Sequence, residues 1–157
     1  MAAHKRRETE AERLDRNLNE LFQSLRVALP GVQVLFAFLL VLPFQQAFPK
    51  VTDFQEKLYF ATLMCVTLSS FLLIAPTARH RLRFRSDDKG YVVFSSNRIA
   101  IAGLIFLGLG MIGAVSLITD VLFGTPMTII VAAIAALALA WLWFASPLLR
   151  GVPEENA

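Results

Sequence analysis

The chain holds 157 residues, of which 56% are hydrophobic and 17% charged, with a formal net charge of +3. Soluble domains average about 45–50% apolar and about 25% charged residues, so the composition excludes disorder and points to a membrane protein. One cysteine, Cys65, excludes an internal disulfide framework and a cysteine-based metal site, and His4 and His80 are too far apart in the chain to suggest a histidine-based one.

The first element is amphipathic. From Glu8 to Leu29, the residues Leu14, Leu18, Leu21, Phe22, Leu25 and Leu29 recur at intervals of three and four, while Arg13, Asp15, Arg16, Asn17, Asn19, Glu20 and Gln23 fill the other face. That is the pattern of a helix with one apolar side. Pro30 ends this helix or opens the next, since proline is favoured at a first helical position. The expected organisation is residues 1–29 as a cytoplasmic tail and interfacial helix, 30–150 as the membrane domain and 151–157 as a second tail. The amphipathic helix lies in the plane of the inner leaflet or docks on a partner.

Charge is absent from Val27–Phe48, Leu58–Ala78, Ile99–Thr119 and Pro126–Leu149. A spanning helix needs about 20 apolar residues, and a helix satisfies its own backbone polar groups in lipid. The spacing predicts spans at about 30–48, 58–78, 99–119 and 126–149. The expected fold is all-α: an integral membrane four-helix bundle with an N-terminal amphipathic interfacial helix. Pro49–Lys57 and Gly124–Thr125 are short connections, so the spans pair as hairpins. No small-residue cleavage pattern follows the first span, which reads as a retained anchor.

Lys5, Arg6, Arg7, Arg13, Arg16, Arg26, Arg79, Arg81, Arg83, Arg85, Lys89, Arg98 and Arg150 fall on one side, 13 of the 15 basic residues. By the bias of Lys and Arg towards cytoplasmic loops, both termini and the central loop are expected in the cytoplasm. The positive charge then serves topology and anionic inner-leaflet lipid, and no nucleic-acid partner is implied.

Few polar residues lie in the spans. Gln33, Gln45 and Gln46 belong to the first, Thr62, Thr67, Ser69 and Ser70 to the second, and Ser116 and Thr119 to the third. Coupled transport normally uses an ionisable group at depth. The nearest is Asp120, at the outer end of the third span, where it faces outer water or caps the turn before Pro126. Gln33, Gln45 and Asp120 are the candidate transport-related residues. Pro43 removes a hydrogen bond to the Leu39 carbonyl and is expected to kink the first span. Tyr59, Trp141 and Trp143 fit interfacial aromatic belts. Ala61, Cys65 and Ser69, Ala132, Ala136 and Ala140, and Gly110 with Ala114 recur every four residues, a spacing that lets helices approach closely. Gly103, Gly108, Gly110 and Gly113 make the third span the thinnest and the expected centre.

Arg79, His80, Arg81, Arg83 and Arg85, with Arg98 beyond the loop, are candidate contacts for an anionic lipid or ligand. Asp87 to Gly90 reads as a turn and Tyr91–Phe94 as an extended piece, giving a short hairpin; an extension of the second span is the competing reading. Pro76 and Pro147, and Arg79 and Arg150, share an offset of 71 residues, as two parallel copies of one hairpin would.

The stretch Arg26 to Leu39 resembles the first span of a family of small actinobacterial membrane proteins of unknown function. Pro76 to Arg81 with Phe84-Arg85, Asn97-Arg98, and Thr119 to Gly124 are similar to that family's other recognisable stretches, in the same order. The resemblance covers roughly Asn19 to Arg150 and implies four helices in a bacterial plasma membrane and no established activity, though members are sometimes labelled sodium/proton antiporters. No catalytic constellation and no cofactor motif stands in the residues. The function expected is a non-enzymatic accessory or interaction protein, with a homo-oligomer or another membrane protein as partner; the alternative is a small oligomeric transporter or channel.

Overall fold

In the computed structural model, residues 10–46, 48–82 and 89–145 are described. Among them four helices run in chain order: α1 (Glu10–Val41), α2 (Asp53–Leu82), α3 (Lys89–Phe123) and α4 (Thr125–Ala140). A single 3-10 turn, Leu42–Phe44, follows α1, a second, Phe48–Lys50, precedes α2, and a π-helical turn, Trp141–Ala145, extends α4. With the turns that continue α1 and α4 included, all four give segments long and apolar enough to cross a membrane: Arg16–Phe44, Asp53–Arg79, Phe94–Phe123 and Thr125–Trp143. The expected all-helical architecture is observed. His4 and the tail at 151–157, Arg83 and Arg85, and Pro147 with Arg150 lie outside the described residues.

α1 departs from the expected boundary at Pro30. The helix runs unbroken through it, although proline deprives the Arg26 carbonyl of its usual donor. Continuity of packing explains this. Leu18, Leu21, Leu25, Ala28, Val32, Leu35 and Leu39 are buried or half-buried and alternate at intervals of three and four. The apolar face of the amphipathic segment therefore continues into the apolar segment as one seam. Leu25 is as much part of the core as Val32 and Leu39.

The same spacing recurs in the neighbours. Tyr59, Thr62, Val66, Ser69, Leu73 and Pro76 are buried on α2, and Ser96, Ala100, Gly103, Leu107, Gly110 and Leu117 on α3. An average period of 3.5 keeps one stripe of a helix facing its neighbour. The glycines set the separation: a Cβ at Gly103 would stand 2.8 Å from the Leu73 side chain, and one at Gly110 would stand 2.5 Å from Val66. Gly113 abuts Thr62 in the same way, and Gly108 admits Leu139 of α4.

Among the described helices, by close backbone approach, α3 packs against α1, α2 and α4, whereas α4 packs against α3 alone. The expected central place of the third span is observed. The small-residue spacing on α4 plays a lesser part, because Ala136 and Ala140 are exposed. Gly124, at φ +80°, makes the reversal between α3 and α4 in a backbone region glycine enters without strain.

The loop reading is corrected in part. Tyr91–Phe94 is helical, belonging to the start of α3, and α2 extends through Leu82. Each added residue of an existing helix gains a backbone hydrogen bond without a new nucleus, which overrides the β-branched and aromatic character of Tyr91-Val92-Val93-Phe94.

Candidate functional site

At one end of the molecule, a polar cluster joins three helices. α2 opens with a reciprocal cap: the Gln55 N–H donates to Thr52 Oγ1 at 3.3 Å, and the Thr52 N–H donates to Gln55 Oε1 at 3.0 Å. This Thr-x-x-Gln pattern satisfies two amides that the helix start leaves open. The other half of the same carboxamide reaches across the bundle. Gln55 Nε2 donates to Asp120 Oδ2 at 2.9 Å.

Asp120 stands on the last turn of α3 and is only 8% exposed. Its second oxygen, Oδ1, accepts from Thr128 Oγ1 of α4 at 3.2 Å, and its main-chain carbonyl accepts the Gly124 N–H at 3.0 Å. The carboxylate thus ties the starts of α2 and α4 to the end of α3. Its own helix end is the unfavourable one for an anion, while both neighbours offer helix N-termini, which favour negative charge. Its two side-chain donors are neutral.

This corrects the expectation that Asp120 faces outer water and agrees with its role at the turn. The residue does brace the turn before Pro126, but its side chain is buried and shared among helices instead of facing water. Gln55 and Thr128 were missed as its partners. The Thr-x-x-Gln cap was legible in Thr52–Gln55; the reach to residue 120 was not.

Beside this cluster, a cleft of about 600 Å³ opens at the α1–α2 connection, lined by Pro43, Phe48, Asp53, Glu56, Lys57, Tyr59, Phe60 and Ala61. Tyr59 forms its floor in place of an interfacial belt. It is 7% exposed, its ring meets Phe48 edge-on with centroids 5.2 Å apart, and its hydroxyl donates to the Leu39 carbonyl at 3.0 Å. Leu39 is the residue whose carbonyl loses its helical donor to Pro43. The expected kink is an ending: α1 stops at Val41 and the chain turns through Leu42–Phe44.

The other candidate residues do not join Asp120. Gln33 and Gln45 are exposed, Gln33 on α1 and Gln45 after the 3-10 turn. Five hydroxyls of the apolar segments bond backbone carbonyls: Thr62 to Leu58, Thr67 to Leu63, Ser69 to Gly103 of the neighbouring helix, Ser70 to Val66, and Thr119 to Val115.

At the opposite end, Arg79 Nη1 donates to Ser95 Oγ at 2.8 Å, pinning α2 to α3. The Arg98 guanidinium stands 5.9 Å from the centre of the Phe94 ring. His80 and Arg81 lie on the last turn of α2; Arg83 and Arg85 fall in the segment not described. Ser96, next to Ser95 on α3, is buried, and its hydroxyl has no hydrogen-bond partner among the described residues. Among the described residues, no three His, Cys, Asp or Glu side chains come together as a metal centre.

No curated protein and no solved structure matches the chain. A family model does match, over residues 7–147, which takes in the cap of α2, the Asp120 cluster and the basic end alike, and the chain belongs to that family, DUF6328, a family of unknown function.

Proposed function

We propose that the chain is a multi-pass protein of the bacterial cell membrane, inserted through its four helices with both termini in the cytoplasm. It acts without catalysis, as an accessory or interaction subunit that binds another membrane protein or a second copy. The basic end around Arg79, Arg81 and Arg98 sits against anionic inner-leaflet lipid.

One observation carries the reading. Five hydroxyls that could otherwise line a hydrated passage, those of Thr62, Thr67, Ser69, Ser70 and Thr119, are bonded to backbone carbonyls, and the space between α1, α2 and α3 is filled by Val32, Val66 and Leu73, all at 0% exposure. A transport path requires polar groups free to replace an ion's water.

The second reading, a small oligomeric cation/proton antiporter, is favoured by Asp120, a buried carboxylate with neutral donors. Ion flux in proteoliposomes separates the two. The first expects no sodium- or proton-coupled flux from the wild-type chain; coupled flux that disappears in Asp120→Asn replaces it with the second.

A further inference from the structure

α1 carries a second seam, opposite the first. Asn19, Gln23, Arg26, Pro30, Gln33 and Ala37 again alternate at intervals of four and three, and every one of them is exposed. The inward seam is apolar and buried or half-buried; the outward one is polar at Asn19, Gln23, Arg26 and Gln33.

The bond from Tyr59 to the Leu39 carbonyl fixes the level of α1 against α2. At about 1.5 Å per residue, Gln33 lies about 9 Å from that bond along the helix, and Arg79 about 30 Å from it on α2. On the membrane reading just proposed, on which this inference rests, the Gln33 carboxamide faces hydrocarbon. Among the described residues it has no hydrogen-bond partner. Lipid cannot supply one, and amides in such positions bond across helices.

We propose that this face is covered by the same face of a second copy, in a parallel two-fold dimer whose Gln33 side chains bond to each other. A carboxamide both donates and accepts, so it is complementary to itself. A two-fold interface sets each residue against its own counterpart, and a shared membrane orientation makes the two α1 helices parallel. Pro30 and Ala37, flanking Gln33, are short side chains that let the helices approach. Arg26 leaves the seam: side chains on a helix lean towards its N-terminus, which carries the guanidinium to the inner headgroups and keeps the two charges apart.

The test uses the full chain with Cys65→Ser, in vesicles of phosphatidylethanolamine and phosphatidylglycerol. Oxidation of Ala37→Cys is expected to give a disulfide-linked dimer, and Leu137→Cys, on the far helix α4 and 72% exposed, is not. By energy transfer between labelled copies, Gln33→Leu weakens association about tenfold, while Gln33→Asn keeps it. Equal crosslinking at 37 and 137, or wild-type association of Gln33→Leu, overturns the dimer. So does crosslinking of Ala37→Cys in native membranes to a different chain in place of itself. A monomer without flux removes the dimer and leaves the accessory reading; a dimer with coupled flux does the reverse.

Discussion

At the scale of single residues, Tyr59 and Pro43 act as one device. Proline frees the Leu39 carbonyl, and the Tyr59 hydroxyl takes the vacant place. Leaving a buried acceptor unpaired costs about 1–3 kcal/mol, so Tyr59→Phe is expected to lower stability by that order in detergent unfolding. The cost should shrink in the background Pro43→Ala, where a backbone N–H is restored to the helix. Strictly additive effects in the double-mutant cycle would show that the hydroxyl and the proline are unrelated. Asp120 has a comparable role between helices. Asp120→Ala orphans Gln55 and Thr128 and is expected to destabilise by about 1–3 kcal/mol, whereas Asp120→Asn, which still accepts one of the two bonds, costs less. Equal melting temperatures for the two variants would mean that these bonds hold nothing. Part of this was legible in the residues: Pro43 announces a lost hydrogen bond, and Thr52 with Gln55 announces a cap. The partners, Tyr59 for Leu39 and Asp120 for Gln55, are 20 and 65 residues away, and no local pattern encodes which distant side chain meets which.

At the scale of elements, the four apolar segments and the central α3 follow from charge and glycine placement, because lipid-compatible helices and close contacts need those residue types. The continuity of α1 does not. Its proline and its change from amphipathic to apolar both suggest a break, and only the unbroken seam from Leu18 to Leu39 explains why there is none. The glycines of α3 give the sharpest test of packing. A methyl group at Gly110 would stand 2.5 Å from Val66 Cγ2. Gly110→Ala should therefore cost about 1–3 kcal/mol as overpacking, and Val66→Ala in the same chain should recover much of it. A methyl group at Gly31 of α1 would meet nothing within 4 Å, so Gly31→Ala should be neutral or stabilising by about 0.5–1 kcal/mol. If both substitutions behave alike in thermal unfolding, helix propensity and not interhelical distance governs α3.

At the scale of the whole molecule, the distribution of charge and the packing of the helices support the same orientation. The acidic residues Asp53 and Glu56 start α2, beside the Asp120 cluster, while Arg79 and Arg98 stand at the other end of the α2–α3 pair. Two helices of nearly equal length, with Gly103 against Leu73 and Gly110 against Val66, are antiparallel, so the basic residues of both collect at one end. Lys and Arg are held on the cytoplasmic side during insertion, so the orientation proposed above has Arg79, Arg98 and the chain termini inside and the Asp53–Glu56 turn outside. A fluorescent protein fused after residue 157 should accordingly mature and fluoresce, and alkaline phosphatase at the same place should be inactive. Alkaline phosphatase inserted between Val51 and Thr52 should be active. Replacing Arg13, Arg16, Arg26, Arg79, Arg81, Arg83 and Arg85 by Gln, with Lys introduced at Thr52 and Gln55, removes the asymmetry close to the ends of the first hairpin; part of the population should then insert inverted and the C-terminal phosphatase gain activity. Unchanged reporters in that variant would mean that helix packing, with α3 held between α2 and α4, and not the charge of the loops, decides the orientation.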